Sequence, residues 1–206
     1  MTKICIPSTS HPIPPEVELI EYDRGEYKEL LDKAHNTVFF DYDIKKIPSH
    51  IPVEQLILSY HNFENTPHDL EALLQLLKRK GRAKFYKIAT FATSTLDALR
   101  MLLFVQKHPE VIGLCMGPLG SITRILAPIF AVPLAYAPLA PEEKSAPGQL
   151  LLSELQEIYH FTKLRKQTPI YGLIGNPISQ SPGHLYHNKL FQGGAKGVYV
   201  KMELKE

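Results

Sequence analysis

Short runs of β-branched and other apolar residues alternate along this chain with segments whose apolar residues have helical spacing. The alternation predicts repeated βα units, in which parallel strands lie side by side under a layer of helices. A chain with this pattern can form either an open, doubly wound sheet or a closed barrel. Strands are predicted at residues 3–7, 17–23, 37–42, 55–61, 85–91, 111–116 and 133–138, and helices at residues 26–34, 67–80, 95–107, 121–129 and 147–163.

The barrel fits the sequence better than the open sheet does. Open sheets that bind nucleotides carry a glycine-rich phosphate loop, and the chain contains neither GxGxxG nor GxxxxGK[ST]. A (β/α)₈ barrel takes about 250 residues, whereas the repeating part of this chain ends near residue 163 after seven predicted strands. We therefore predict an α/β protein of the (β/α)₈ TIM-barrel type that lacks one βα unit.

The pattern restarts after this first domain, which covers residues 1–163. Residues 164–169 are predicted to be a linker, and residues 170–206 a short α/β fragment with strands at 170–174 and 198–204 and a helix at 183–191. A fragment of this size cannot bury a core by itself. We expect it to pack on the first domain, on a partner chain or on a continuation of the chain.

The composition limits the partners and the compartment of the protein. Its 206 residues include 23 basic and 21 acidic side chains, which give a net charge of +2. This balance does not indicate binding to nucleic acid or to an anionic membrane. No apolar stretch approaches the roughly 20 residues of a membrane helix, and the N-terminus has no export signal. We predict a cytoplasmic protein in which Cys5 and Cys115 are buried, reduced thiols.

Two residues at neighbouring predicted strands are candidates for proton-transfer and imine chemistry. His61 follows an apolar strand, and the ordinary pKa of a histidine, about 6.5, suits proton transfer near neutral pH. Lys87 lies in the middle of the next apolar strand, where an ammonium is costly and a neutral amine is a nucleophile. A surface histidine and a lysine that reaches solvent would produce the same pattern, so both interpretations stay open here.

Further polar residues follow the sixth and seventh predicted strands. Arg124 lies one helical turn beyond a Gly-Pro-Leu-Gly segment and can hold a carboxylate, although a lone arginine is more often a surface charge. Ser145 and Gln149 are neutral hydrogen-bonding residues on a loop that can close over the mouth of a barrel. In a βα barrel the carboxyl ends of the strands share one mouth, where the active site lies.

Four motifs follow one another along about residues 1–160: Ser59-Tyr60-His61-Asn62-Phe63 with Thr66-Pro67, Lys87-Ile88-Ala89, Met116-Gly117 through Arg124, and Ser145-Ala146-Pro147-Gly148-Gln149. In this order they resemble the motifs of type I 3-dehydroquinate dehydratases. The resemblance implies a (β/α)₈ barrel that converts 3-dehydroquinate to 3-dehydroshikimate in the shikimate pathway of aromatic amino acid biosynthesis, without a metal or a cofactor.

The resemblance implies a role for each candidate. Lys87 would form a Schiff base with the substrate ketone, and His61 would remove the α-proton and return a proton to the leaving hydroxyl. Arg124 would hold the substrate carboxylate, and Ser145 and Gln149 would belong to a lid that contacts the substrate hydroxyls. An imine is an electron sink that acidifies the neighbouring C–H, so a base of ordinary strength suffices.

The chain also departs from the family pattern. Glu21 matches a substrate-binding glutamate, but Asp23 stands where the family has an arginine, and the strand that normally follows has no match before residue 37. A barrel with seven strands leaves an open edge, which a neighbouring element or a second copy in a homodimer would have to cover. The alternative to an active dehydratase is therefore a catalytically impaired remnant or binding module.

The segment from Tyr171 to Phe191 resembles the start of shikimate dehydrogenases, an arrangement that places two consecutive pathway enzymes in one chain. By that resemblance Ser181 would bind the shikimate carboxylate. Gln180, Gly183 and His184 depart from the family residues at their positions. NADP is implied only for a complete dehydrogenase domain, and we expect no dehydrogenase activity from these residues alone.

Overall fold

A parallel sheet of seven strands forms the main body of the computed structural model, which describes residues 2–6, 12, 14, 17–22, 38–44, 51–193 and 196–204. The strand order is β6-β5-β4-β3-β2-β1-β7, and every neighbouring pair is parallel, as the βα alternation predicts. The strands are β1 (Lys3–Ile6), β2 (Glu18–Tyr22), β3 (Val38–Asp43), β4 (Leu56–Asn62), β5 (Phe85–Phe91), β6 (Val111–Met116) and β7 (Leu134–Tyr136).

The sheet is continuous at the place where the sequence lacks a strand. β2 pairs directly with β3, with Glu21 opposite Phe40, and the helix predicted at residues 26–34 lies outside the described residues. In the described part of the chain, the two edges of the sheet are β6 and β7. Residues of both edges, among them Leu114 and Leu134, line one small cavity, so these edges face each other across a seam without pairing.

The helix after β4 begins three residues later than predicted. α1 spans Leu70–Lys80, and the Asp69 side chain caps it by accepting a hydrogen bond of 2.8 Å from the backbone N–H of Ala72. Thr66, the residue before the predicted start at Pro67, does not cap the helix but is buried, with its hydroxyl 2.8 Å from that of Thr90. The predicted end at Lys80 is confirmed, since the N–H of Gly81 bonds back to the Leu77 carbonyl.

The next helix matches its prediction, and the one after it is much shorter. α2 spans Thr95–Lys107, and Ser94 and Asp97 form a capping box at its start. α3 is a single turn, Ile122–Ile125, where the sequence predicts a helix over residues 121–129. Pro128 accounts for the difference, because a proline disfavours helical backbone at the preceding residue and lacks the N–H that would continue the helix.

The helix predicted at residues 147–163 is wrong. Gly148 has a φ of +75°, which no α-helix accommodates, so the segment starts as a loop. A π-helical turn at Glu154–Ile158 and a 3₁₀ turn at Phe161–Lys163 follow, separated by His160 with a φ of +49°. Even so, Leu155 and Phe161 are buried, and the segment packs on the barrel core as the predicted helix would have done.

The core lies inside and around the sheet. All residues of β6 are buried, and Cys5 and Cys115 are fully buried, which confirms their predicted burial. None of the described helices is long and apolar enough to cross a membrane.

A small βαβ unit follows the barrel. β8 (Ile170–Gly175) and β9 (Val198–Glu203) form a parallel pair, and α4 (Gly183–Gln192) connects them, close to the predicted bounds. The buried Asn188 side chain fastens α4 to β9 through two hydrogen bonds to the backbone of Tyr199, of 2.8 and 2.9 Å.

This unit contacts the barrel at several points. The Thr95 hydroxyl donates to the Glu203 carbonyl, and the His184 ring stacks on Tyr159 with a centroid separation of 6.3 Å. Val198 and Val200 are fully buried within the main core. The segment predicted as a linker is ordered by Leu164, which is buried, and by a tight turn between Arg165 and Thr168.

Candidate active site

A cavity of about 320 Å³ opens at the carboxyl ends of the barrel strands, where βα barrels hold their active sites. It brings together five of the seven residues that the sequence suggested: Lys87, His61, Arg124, Ser145 and Gln149. The other lining residues are Phe63, Ala89, Leu114, Met116, Tyr136 and Ala146.

Strand register explains why the lysine and the histidine meet. In β4 and β5, Ser59 pairs with Lys87 and His61 pairs with Ala89. Residues two apart along a strand share a face, and paired residues on neighbouring strands do so too. The side chains of Lys87 and His61 therefore lie on the same face of the sheet, and both line the cavity.

Lys87 is buried and paired with a carboxylate. Its residue surface is only 4% exposed, and its Nζ lies 2.5 Å from Oδ2 of Asp41, which is equally buried. A buried ammonium needs such a partner, and losing either member would leave an uncompensated charge in the core. The ring of Tyr136 lies on another side of the amine, with its centroid 4.3 Å from Nζ.

Asp41 and its neighbour Asp43 lie beside Lys87 and His61, and sequence reasoning missed both of them. Both lie in β3, two residues apart, and Asp43 pairs with Ser59, so they share the face that carries His61 and Lys87. The signal was present in the sequence as two acids at alternate positions of an otherwise apolar and aromatic strand. Asp41 is 4% exposed, and such burial demands a cationic partner.

His61 is arranged to be a neutral base. Burial and the positive charge of Lys87 lower the pKa of His61, and the carboxylates of Asp41 and Asp43 offset part of this effect. Nδ1 lies 3.9 Å from Oδ2 of Asp43, too far for a direct hydrogen bond, so their attraction is electrostatic. The ring also stacks on Phe63, with centroids 6.1 Å apart. At neutral pH the imidazole is uncharged and can accept a proton.

Arg124 supplies a buried positive charge at the far side of the cavity. The residue is 5% exposed and lies on the single turn α3. Thr123 fixes that turn against β6, because its hydroxyl donates to the Gly120 carbonyl at 2.7 Å and accepts from the Cys115 N–H at 3.0 Å. A guanidinium held in this way is suited to bind a substrate carboxylate.

The loop with Ser145 and Gln149 is docked on the end of β6. The Gly117 N–H donates to the Pro147 carbonyl at 2.9 Å, and a side chain at Gly148 would collide with the Gly117 carbonyl. Within the loop, Oε1 of Gln149 accepts hydrogen bonds from the Ser145 N–H at 2.9 Å and its hydroxyl at 3.4 Å. The loop therefore forms part of the cavity wall together with Arg124.

Of the other two predicted residues, Ser181 does not line this cavity, and Glu21 is described only by its place in a strand. Glu21 lies in β2, and its side chain falls outside the described part of the structure. Ser181 precedes α4 in the appended unit, where its hydroxyl accepts a 3.3 Å hydrogen bond from the Gly183 N–H. Asp23, which departs from the family pattern, lies outside the described residues. The described residues contain no cluster of histidine, cysteine and acidic side chains that could hold a metal ion.

A larger cavity, of about 450 Å³, lies where the barrel meets the appended unit. Its charged lining is basic, with Lys163, Arg165 and Lys196, and its described lining residues include no carboxylate and no buried nucleophile beside a base. Its size alone does not make this cavity a reaction site, whereas the convergent polar groups of the barrel mouth are typical of one.

Comparison with known proteins identifies the family to which the chain is similar. The type I 3-dehydroquinase family matches residues 21–166. The bifunctional 3-dehydroquinate dehydratase/shikimate dehydrogenase of Arabidopsis thaliana is 37% identical over 152 residues, which are 72% of this chain and 25% of that protein. The Chlamydia trachomatis shikimate biosynthesis protein AroDE is 35% identical over 170 residues, 81% of this chain and 34% of that protein. This chain thus spans about a quarter to a third of the length of these two relatives.

A single-function relative is covered more fully. The 3-dehydroquinate dehydratase of Pyrococcus abyssi is 34% identical over 157 residues, 66% of this chain and 70% of that protein. Among solved structures, the 3-dehydroquinate dehydratase of Geobacillus kaustophilus has a TM-score of 0.53 at 21% identity, over 73% of this chain and 70% of that one. That structural likeness concerns the fold alone, and it confirms the predicted barrel type.

Proposed function

The chain belongs to the type I 3-dehydroquinase family, and from this premise we propose that it dehydrates 3-dehydroquinate to 3-dehydroshikimate through a Schiff base on Lys87. One observation carries the proposal: a buried amine and a neutral imidazole line the same cavity. Shikimate-pathway chemistry in the cytoplasm, on a small-molecule substrate, is part of the same proposal.

The reaction begins at the amine. Asp41 is the proton acceptor next to Lys87, and the neutral amine adds to the substrate ketone and expels its oxygen as water to give an iminium. His61 then takes the α-proton, and the electron pair of that C–H bond moves towards the nitrogen to form an enamine. The enamine expels the β-hydroxyl, which leaves as water with the proton from His61, and hydrolysis of the new iminium frees Lys87.

The remaining cavity residues hold the substrate. We assign the substrate carboxylate to Arg124 and the substrate hydroxyls to Ser145 and Gln149, whose loop also limits access of water. Glu21, on a neighbouring strand, is proposed as a further binding residue. These steps transfer protons and exchange water only, so the proposed dehydration needs neither a metal nor a redox cofactor.

We further propose that residues 1–163 form the dehydratase domain, that residues 164–169 link it to the next, and that residues 170–206 begin a shikimate dehydrogenase-like substrate-binding domain. Ser181 would contact a carboxylate there. The Lys201 ammonium supports this, because it donates to the carbonyls of Ser179 and Ser181 at 2.9 and 3.3 Å and places a positive charge beside the hydroxyl. NADP would serve only a complete dehydrogenase domain.

Replacing the nucleophile tests the dehydratase proposal. With 3-dehydroquinate, the wild-type chain is expected to produce an enone absorbance, and Lys87→Ala to lose at least roughly 10⁴-fold in kcat. Borohydride with substrate should leave a covalent adduct on Lys87, located by peptide mass spectrometry. Lys84→Ala, at an exposed lysine beside the same strand, is the matched control and should keep full activity. A folded wild type with neither product nor adduct would refute the proposal.

The unpaired seam between β6 and β7 favours one second candidate, a binding module without turnover. With seven strands in its described part, against the eight of a (β/α)₈ barrel, the domain would hold the same groups less firmly, and a displacement of about 1 Å can cost two orders of magnitude in rate. Calorimetry that detects 3-dehydroquinate binding while no enone forms would identify this outcome. Light scattering of the same sample tests whether the chain forms the homodimer that an open edge allows.

A further inference from the structure

The aromatic ring of Tyr136 covers the amine that forms the proposed Schiff base. Tyr136 is the last residue of β7 and is 3% exposed. Its register partner in β1 is Cys5, and the pairing of these strands fixes the ring over the cavity. The ring centroid lies 4.3 Å from Nζ of Lys87, well inside the distance of about 6 Å at which a ring face attracts a cation.

We infer that the face of the Tyr136 ring is a catalytic group, which keeps the nitrogen of the Lys87 imine in its cationic form. The inference rests on the proposed function and names a residue that the sequence motifs did not include. The cationic imine is the electron sink of the reaction, because only a positively charged nitrogen draws the electron pair of the α C–H bond towards itself strongly enough for a base such as His61.

Chemistry distinguishes the ring from the other groups around this nitrogen. Asp41 and Asp43 of β3 attract the cation but can also accept its proton, whereas His61 of β4 and Arg124 of α3 do not favour a positive charge beside them. An aromatic face attracts a cation without accepting its proton. The ring therefore opposes loss of the imine proton to the neighbouring carboxylate.

The ring of Tyr136 stabilises the iminium more than the starting ammonium. Lys87 must lose a proton before it attacks the ketone. Its nitrogen becomes positively charged again once the iminium forms, and the iminium is a larger and more weakly hydrated cation than the ammonium. A buried ring face with little access of water stabilises such a cation by a factor of roughly 3 to 30. The affected quantity is the fraction of imine that is protonated, so the effect is expected on the alkaline side of the pH–rate profile.

Ring fluorination separates this role from packing. Phenylalanine and its mono-, di-, tri- and pentafluorinated analogues, inserted at position 136, have nearly one shape, but the electron density on the ring face falls with each fluorine. Tyr136→Phe is expected to keep the wild-type alkaline limb of kcat. Across the fluorinated series, that limb should move stepwise to lower pH, and the most fluorinated ring should reduce kcat at high pH by roughly 3- to 30-fold.

Tyr86 provides the matched control. It is a buried tyrosine of β5 whose hydroxyl bonds to the Gly81 carbonyl, and it does not line the cavity. The same analogues at position 86 should leave the alkaline limb unchanged. A flat fluorination series at position 136 in an active enzyme would overturn the inference, as would a Tyr136→Phe variant that has already lost the rate, since the hydroxyl would then be the active group. A wild type without turnover or borohydride adduct would refute the proposed function instead.

Discussion

The barrel and the appended βαβ unit arise from the same alternation of strands and helices, but the barrel buries its strands much more completely than the appended unit does. Every residue of β6 is buried, whereas β8 exposes 48% of Tyr171 and 60% of Ile174, and α4 exposes 64% of Tyr186. A two-stranded sheet with one helix has too little interior to cover both of its faces. The barrel can therefore bury a lysine, an aspartate and an arginine for chemistry, and the small unit cannot.

Replacing one histidine in each region should produce the largest difference between them. His61→Gln removes the proposed base, and kcat with 3-dehydroquinate should fall by about 10²–10⁴-fold. His187→Gln in the appended unit, where the ring stacks on Tyr199, should leave kcat unchanged. Equal losses in both variants would show that the appended unit takes part in the dehydration.

Truncating one leucine in each region compares their stability. Leu58 in β4 is fully buried, and Leu58→Ala should lower the free energy of unfolding by about 2–5 kcal/mol through lost contacts and a cavity. Leu190 in α4 is 52% exposed, and Leu190→Ala should change the free energy of unfolding by no more than about 0.5 kcal/mol. Urea unfolding followed by near-ultraviolet circular dichroism measures both. A large loss from Leu190→Ala would mean that the face of α4 is covered in solution.

The smallest expected effects are on the titration of His61. Lys87→Met removes a positive charge and should raise the pKa of His61, while Asp43→Asn removes an attraction for the imidazolium and should lower it further. Because the pKa of His61 lies below its ordinary value, the base is neutral above that pKa, and on the acid side of the pH–rate profile activity should be lost as the pH falls through it. Histidine ring resonances in an NMR titration report the pKa in each variant.

Lys87→Met and Asp43→Asn are expected to shift the pKa of His61 in opposite directions. A shift of the same sign in both would contradict the arrangement of charges around the ring. The wild-type chain, titrated under the same conditions, is the reference for both variants.

Local sequence signals predicted most elements because they act over a few residues. The ends of β5, β6 and α2 match the predictions, and Lys80-Gly81 ends α1 as expected. Errors occur where local signals compete. Asp69 rather than Thr66 caps α1, since Thr66 is taken into the core, and the helix predicted at residues 147–163 is broken by the positive φ of Gly148 and His160.

In the candidate site, too, the sequence indicated what depends on local position and missed what depends on contacts between distant strands. Lys87, His61, Arg124, Ser145 and Gln149 were suggested by their positions after strands, and the cavity unites them. Asp41, Asp43 and Tyr136 were missed, because their roles depend on which strands become neighbours. Nothing in the local sequence of β7 indicates that its last ring covers an amine from β5, and that contact exists only because β7 pairs with β1 at one end of the sheet.

The sequence by itself determined the βα alternation, the parallel sheet and the identity of the amine and the imidazole, since hydrophobic periodicity and side-chain chemistry are local properties. Only the tertiary structure decided that β2 and β3 pair directly, that the seam falls between β6 and β7, and that Asp41 and Tyr136 flank Lys87. Strand register and ring closure arise from contacts between residues far apart in the chain, where burial and charge pairing outweigh local preference.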